Sequence, residues 1–367
     1  MTAIHTDSPT ADVSPVRERE GSLNAVRAAI PAVCYERPTG RALVALTQAT
    51  VLYAATIAGL ALTHRWWLTL LLWPLAGLAV AGLFVIGHDA SHGALLRGRR
   101  ANLFVARVCM LPSAHLESAW DLGHNRIHHG YTTREGFDFV WHPTTVEQYH
   151  ALGRFARLQH RLEWSCLGSG AYFIRTVWWN KMLRFRASEK RRHAVVLDKL
   201  VVGLVLAVAV AGSAVWGAFH GGVFDAFWMP VKLLVVPFLL FAQIIGFAVY
   251  VHHVSPEIRW WKRREWTQFK GQMESTTILR IPRVVNRLWL HNIFVHVPHH
   301  VDVRIPFHQL PAAARAIAIA FPDTVRSSRL SVRSYLRATG ACKLYDFDRG
   351  TWLSYSAARS TPAPTAG

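Results

Sequence analysis

Four apolar segments, each about as long as a membrane-spanning helix, constrain the fold of this chain more than any other feature. They cover residues 42–62, 67–86, 200–219 and 230–251. A helix needs about 20 mostly apolar residues to cross the hydrocarbon core of a bilayer. Of the 367 residues 51% are hydrophobic and only 17% are charged, a smaller charged share than the roughly 25% of soluble domains. The sequence therefore predicts an all-α integral membrane protein with four transmembrane helices in two hairpins.

The positions of the basic residues orient these segments. The two connections within the hairpins, residues 63–66 and 221–229, contain a single basic residue, Arg65. Nearly all other Lys and Arg lie near the N-terminus, in residues 87–199, or after residue 251. Basic residues favour the cytoplasmic side of a membrane. We therefore expect both termini to be cytoplasmic, and we call residues 87–199 and 252–355 the cytosolic cap, which we expect to be helical.

The two ends of the chain differ from the middle. Residues 1–24 and 356–367 are polar, and the first of these stretches has no apolar core of the kind found in a cleaved secretory signal. We expect a disordered arm, a single membrane domain at residues 25–355, and a disordered tail. The four cysteines are far apart without a CxxC pair, so neither a zinc–thiolate site nor a disulfide framework is indicated.

The formal net charge of +19 raises the question of nucleic-acid binding. The chain contains no basic helix-turn-helix, zinc-finger or RNP-type pattern. Juxtamembrane Lys and Arg are attracted to anionic lipid headgroups. We therefore expect a lipid bilayer, and not a nucleic acid, as the partner of the basic surface.

Eight of the 20 histidines form three compact runs. The runs contain His88 and His92; His124, His128 and His129; and His296, His299 and His300. Residues three or four apart lie on one face of a helix, so each run presents its imidazoles to one point. Imidazole suits zinc, copper, nickel and iron, and eight ligands exceed the needs of one ion. The first run directly follows the second apolar segment, so we expect two metal ions at the cytosolic lip of the bundle.

The three runs, in this order between two apolar hairpins, resemble the histidine boxes of the membrane fatty acid desaturase family. Residues 130–141 are similar to the family segment after its second box. Residues 250–256, with His252 and His253, resemble the element before the third box, and residues 291–300 resemble the approach to that box, particularly in acyl-lipid desaturases. The resemblance spans residues 42–310.

The resemblance implies two iron ions with nine histidine ligands. These are His88, His92, His124, His128, His129, His253, His296, His299 and His300. The second box reads HxxxHH, whereas HxxHH is commoner in the family, so His124 departs from the family spacing. His252 and His291 are each either a remaining ligand or a supporting group. Ligating imidazoles usually bond their other nitrogen to a carboxylate or carbonyl, and the candidate carboxylates are Asp89, Asp121, Asp138 and Asp302.

The resemblance also implies O2-dependent desaturation of an acyl chain in a membrane lipid or an acyl thioester. A hydroxylase, acetylenase or ketolase with the same metal pair is the nearest alternative, because a small change of substrate position decides the outcome. A metal transporter is an alternative of another class, although the histidines follow the apolar segments and do not lie in their middles. The sequence lacks the His-Pro-Gly-Gly haem stretch of some relatives, so we expect electrons from a separate ferredoxin-like donor.

Overall fold

The computed structural model describes residues 21–360. Most of the predicted disordered arm (1–24) and tail (356–367) lies outside these residues. Short helices lie near both ends of the described range. A helix begins at Leu23 and ends at Ala28, with Leu23 and Val26 buried in the core. A second helix, Tyr355–Ser360, includes the buried Ala358.

The first hairpin consists of α1, Thr39–Leu62, and α2, Trp66–Ser91. Gly59 of α1 lies against Leu72 of α2, where a Cβ atom would be 3.2 Å from the leucine side chain. Both helices are longer than the predicted segments 42–62 and 67–86. The extension of α2 is buried from Leu83 to Ala90, since other helices pack around it there. His88 therefore lies on the helix and not in a loop after it.

A third apolar run of helix extends from Glu189 to His253. It begins with α5, Glu189–Pro230, which is broken at Gly222, where φ is +76° and the backbone is not helical. Gly217 lies directly against the backbone of Asp225, so the chain reverses at this break. The second hairpin therefore has a tighter turn than the predicted connection 221–229, because one glycine in the left-handed region provides the reversal. The returning arm passes through the π-helical Val231–Val235 into α6, Val236–His253.

Two further helices lie in the cap and shape the site. Helix α3 covers residues 117–131 and includes the π-helical stretch Asp121–His128. Helix α4 covers residues 169–183, of which Phe173–Leu183 is π-helical. Helix α7, His296–Val301, carries the third run of histidines. Other helices of the cap are Arg99–Met110, Val146–Ala151, Arg154–Glu163, Lys270–Glu274, Val285–Trp289, Leu310–Ala320 and Val332–Ala341.

Besides its helices, the cap contains two pairs of short strands, which were not predicted. Strand β1, Ile278–Arg280, pairs in parallel with β2, Ser327–Arg329. Strand β3, Leu344–Asp346, pairs antiparallel with β4, Thr351–Leu353. These are extended segments of a loop-rich region. Pairing lets them satisfy backbone groups that no helix satisfies.

Helix α4 crosses α6 at a close contact between small residues. The Gly170 amide donates to Oε1 of Gln243 at 2.9 Å, and Gly246 lies directly against the backbone of Ser169. On one side of α2, Leu83 and Ile86 belong to a core that also contains residues of α7. On the other side, Phe84 packs with Phe241 of α6. The histidine-bearing end of α2 therefore lies between two packed cores.

Candidate metal centre

The structure brings all nine predicted histidine ligands into one buried cluster. Two groups have ring nitrogens within 4.8 Å of one another. The first group contains His88, His92, His124, His129 and His299, and the second contains His128, His253 and His300. His296 adjoins the second group, with its Nε2 atom 3.0 Å from Nε2 of His300 and 3.2 Å from Nε2 of His253. The cluster thus has room for two centres side by side.

The first run lies at the end of α2. His88 is on the last turn and His92 caps the helix, so the two rings lie one turn apart with their centres 4.7 Å from each other. The Nε2 atom of His88 is 2.9 Å from Nε2 of His124 on α3. Residues from two distant parts of the sequence therefore converge on the same point.

The helix that carries the second run accounts for its HxxxHH spacing, which differs from the commoner HxxHH. In a π-helix each N–H bonds to the carbonyl five residues back, so a turn contains more residues than in an α-helix. His124 and His129 are five apart in the π-helical part of α3 and its end, and their Nε2 atoms are 3.1 Å apart. His128 belongs to the second group. The extra residue in HxxxHH is therefore accommodated by the π-helical turn, and His124 remains in the cluster.

The two adjacent histidines at the end of α6 have different surroundings. His253 belongs to the second group. The Nδ1 atom of His252 lies 3.1 Å from the hydroxyl of Thr277, and its ring stacks on His296 with ring centres 4.4 Å apart. His252 belongs to neither group, and the same is true of His291. The buried ring of His291 lies against Phe307, with ring centres 5.2 Å apart.

One of the four candidate carboxylates hydrogen-bonds to a clustered histidine. Both carboxylate oxygens of Asp138 accept from Nδ1 of His128, at 3.0 and 3.1 Å. Asp89 is 3.5 Å from Nδ1 of His88 but accepts its hydrogen bond from the Phe307 amide. Asp121 binds Arg126 and Arg191, and Asp302 binds Tyr35 and Arg304.

Two uncharged residues hydrogen-bond to the second group, and the sequence alone did not predict this role for them. The Oε1 atom of Gln272 is 2.8 Å from Nδ1 of His300, and the Thr132 hydroxyl is 3.2 Å from the same atom. The Gln272 amide also donates to the carbonyl of His129. Thr132 and Gln272 are 168 and 28 residues from His300 in sequence. An isolated glutamine or threonine at such separations gives no local pattern, so only the fold reveals this role.

Burial favours the neutral form of several of the clustered imidazoles. Desolvation lowers the pKa of His124, His129 and His299 well below the ordinary value, and repulsion from neighbouring histidines lowers each further. The same causes act on the pKa values of His296 and His300. Neutral imidazoles have the lone pairs that metal binding requires.

Unpartnered nitrogens at the centre fit a metal better than a packed core. The buried Nε2 atoms of His92 and His299 form no hydrogen bond with any residue in the described range. Buried polar atoms nearly always have a partner, and a bound ion would provide it. All-nitrogen ligation by imidazole fits iron among other transition metals.

A small apolar cavity of about 30 Å³ adjoins the cluster at His124. Its walls include Trp120 and Gly123 of α3 and the rings of Phe139 and Tyr172. The Trp120 ring stacks on His124 with centres 4.4 Å apart. A cavity of this size has room for roughly one or two methylene groups, so it can take only a short segment of a hydrocarbon chain.

Comparisons with known proteins agree with this geometry. The family model described as fatty acid desaturase matches residues 65–329. The sn-1 oleoyl-lipid 12-desaturase of Synechocystis sp. is 27% identical over 356 residues, which cover 95% of this chain and 94% of that protein. A protein of the same name from Picosynechococcus sp. is 30% identical over 294 residues, 79% of this chain and 80% of that protein. The chloroplastic omega-6 fatty acid desaturase of Glycine max is 26% identical over 290 residues, 77% of this chain and 64% of that protein.

Proposed function

The chain belongs to the fatty acid desaturase family, and we propose that its two histidine groups hold two iron ions used with O2 to desaturate the acyl chain of a membrane lipid. Fatty acyl desaturation is the activity named for its relatives. The observation that supports the metal assignment is the convergence of nine imidazoles, eight in two adjoining groups and that of His296 beside the second; all are buried except the partly buried His92. Iron bound there would supply the oxidising power, drawn from O2 and two electrons, that removes hydrogen from an unactivated methylene.

The chain's own residues orient the ligands. Asp138 accepts a hydrogen bond from Nδ1–H of His128, which leaves the Nε2 lone pair of that histidine free for a metal ion. Gln272 accepts from Nδ1 of His300 in the same way. Such supporting bonds fix the tautomer and the direction of a ligating ring. The buried packing around the cluster excludes water from the reacting position.

The apolar cavity supports the proposal of a hydrocarbon substrate. A chain segment in this cavity would lie next to the first histidine group, because the cavity is lined in part by His124. The named relatives from Synechocystis sp. and Picosynechococcus sp. are oleoyl-lipid 12-desaturases. We therefore take an oleoyl group on a membrane lipid as the substrate to test first.

The deciding experiment is expression in a host with simple lipids, followed by fatty acid profiling. We expect a new double bond with the intact chain and about two irons per purified chain, since nine imidazoles exceed the needs of one ion. His299→Ala should lose iron and activity together. A product with an added oxygen would favour the hydroxylase alternative. A variant with full activity would contradict the ligand assignment.

The proposed topology has four membrane crossings with both termini and the site in the cytoplasm. The structure has three apolar helical runs long enough to cross a membrane. The reversal at Gly222 divides the third run into two arms, which supports four crossings. Lys232 is an exception to the charge pattern, but it is buried and donates to the carbonyl of Thr63. A terminal tag that is digested from the outer face of intact cells would contradict this topology.

The proposed electron donor is a small acidic ferredoxin-like protein. Opposite charge accelerates encounter between proteins. The densest basic runs of the cap contain Arg184, Arg186, Lys190, Arg191, Arg192, Lys262, Arg263 and Arg264. Lys262 forms an ion pair with Asp348, whereas Arg264 is exposed. Reversing the charges of Lys262, Arg263 and Arg264 should slow turnover with a ferredoxin, most at low salt, without changing iron content. An unchanged rate and salt dependence would exclude this surface.

A further inference from the structure

A second cavity, larger and more polar, adjoins the apolar one. Its volume is about 530 Å³, and it lies between α4 and the cap helix Arg154–Glu163. The two cavities share the lining residues Phe139, Tyr172 and Lys181. The Tyr172 hydroxyl donates to the carbonyl of Phe139 at 2.9 Å, which holds the aromatic wall between them. A molecule with a polar end and an apolar end can therefore occupy both cavities at once.

Three polar side chains of α4 line the larger cavity. Thr176, Asn180 and Lys181 are spaced i, i+4 and i+5 in the π-helical part of α4, the spacing that also aligns His124 and His129. The buried Oγ1 atom of Thr176 has no hydrogen-bond partner among residues 21–360. No other residue of the described chain holds the Thr176 hydroxyl, and the three side chains give this wall of the cavity a polar lining.

Lys181 supplies a positive charge to the same face. Its Nζ atom lies 5.5 Å from the ring centre of Phe139. Among residues 21–360 Lys181 forms no ion pair with a carboxylate, since the ion pairs there involve other cations. It is therefore available to an anionic ligand.

The other charged groups of the cavity already have partners. The carboxylate of Asp138 is buried and accepts hydrogen bonds from His128 and from the amides of Thr133 and Val140. Arg175 forms a bidentate ion pair with the buried carboxylate of Glu163. Burial lowers the pKa of His160 to about 4, and the nearby cations Lys343 and Arg175 lower it further. Burial likewise lowers the pKa of His142, which also faces Lys181 and the opposing charge of Asp138. The charge that remains to attract a ligand is that of Lys181.

We propose that this cavity binds the polar end of a phospholipid, with the phosphate on Lys181 and the ester beside Thr176 and Asn180, while the acyl chain passes Phe139 toward His124. The proposal rests on the function proposed above. The location of α4 favours a lipid over a carrier protein. Trp179 on α4 is half-exposed, and tryptophan is enriched at the level of lipid headgroups.

The test compares two dioleoyl lipids with different headgroups in nanodiscs. One is phosphatidylglycerol and the other is the uncharged monogalactosyl lipid. Lys181→Gln should raise the KM for the phosphatidylglycerol about tenfold, the effect of losing one charge-assisted hydrogen bond. Its KM for the galactolipid, its kcat and its iron content should change less than twofold. Lys181→Arg should restore the KM, and Arg333→Gln, which removes an exposed charge from the helix Val332–Ala341, should have no effect.

Equal changes of KM for the two lipids, or no change, would overturn the proposal. A wild-type enzyme that uses only an oleoyl thioester, and neither lipid, would also overturn it and indicate a carrier in this cavity. Failure of the proposed function has a different signature, which is the absence of iron or of a new double bond in the wild type with every substrate.

Discussion

The Nδ1 atom of His128 lies 3.0 Å from Oδ1 of Asp138, and both side chains are buried. The carboxylate also accepts from the backbone amides of Thr133 and Val140 at 2.8 and 3.0 Å. Asp138→Asn replaces one accepting oxygen by a donor that faces other donors. We expect iron affinity to fall about 10–100-fold, the usual cost of losing such a supporting bond. Iron retention against a chelator measures this.

Asp121→Asn is the matched control for that variant. Asp121 was an equal candidate in the sequence, but its carboxylate binds Arg126 and Arg191 and no clustered histidine. The control should retain iron as the wild type does. If both variants lost iron to the same extent, the contact between Asp138 and His128 would not explain the loss.

The neighbouring residues His252 and His253 should respond differently to substitution. His253→Ala removes a member of the second group, so we expect about one iron per chain and no desaturation, since one centre remains. His252→Phe preserves a ring that stacks on His296 and should retain about two irons. Elemental analysis of the two purified variants measures this. If His252→Phe lost iron and His253→Ala did not, then His252, and not His253, would be the ligand.

The histidine ligands were easier to predict from the sequence than the residues that hydrogen-bond to them, because the spacing of the ligands is a local feature of the chain. His88 and His92, or His296 and His300, are four residues apart in the chain, so a helix places each pair together whatever the rest of the fold does. The π-helical turn at His124 depends on packing around α3, which a spacing pattern does not encode. Gln272 supports His300 only because the cap returns to the cluster. Such contacts depend on tertiary packing.

The same holds for the fold: features set by neighbouring residues were predicted, and features set by contacts between distant residues were not. Apolar length predicted the helices that contain residues 42–62 and 67–86, since about 20 residues suffice for a crossing. It did not predict that α2 continues to Ser91, because the polar residues there are buried by other helices. The short strands β1 and β2 were also missed. Three-residue strands have too little sequence to show an alternating pattern.

The contact of α4 with α6 predicts a large effect from one methyl group. Gly246→Ala would place a Cβ atom against the backbone of Ser169, which cannot move independently of α4. We expect a loss of about 1–3 kcal/mol of unfolding free energy, as for overpacking elsewhere. Gly203→Ala is the control, because no atom lies within 4 Å of its added Cβ. Thermal unfolding in detergent compares them, and equal melting temperatures would contradict this packing.

His115 predicts a pH dependence that is separate from the metal ligands. Burial lowers its pKa from 6.5 to about 4, although its hydrogen bond to the Ser113 carbonyl opposes the shift. As the pH falls below 6.5, the unfolded chain binds a proton here that the folded chain excludes, so stability decreases. The decrease is about 1.4 kcal/mol per pH unit until the pH approaches 4.

His115→Phe should remove this contribution while keeping the aromatic packing. The His115 ring lies 4.7 Å from Phe84 and 5.5 Å from Phe241, centre to centre, so a phenyl ring fits the same surroundings. Loss of the bond to Ser113 should cost the variant about 1 kcal/mol at every pH. Between pH 6.5 and 5 its melting temperature should therefore fall less steeply than that of the wild type, since the remaining histidines titrate identically in both. If the melting temperatures of the variant and the wild type fell equally steeply with pH, His115 would be protonated in the folded protein.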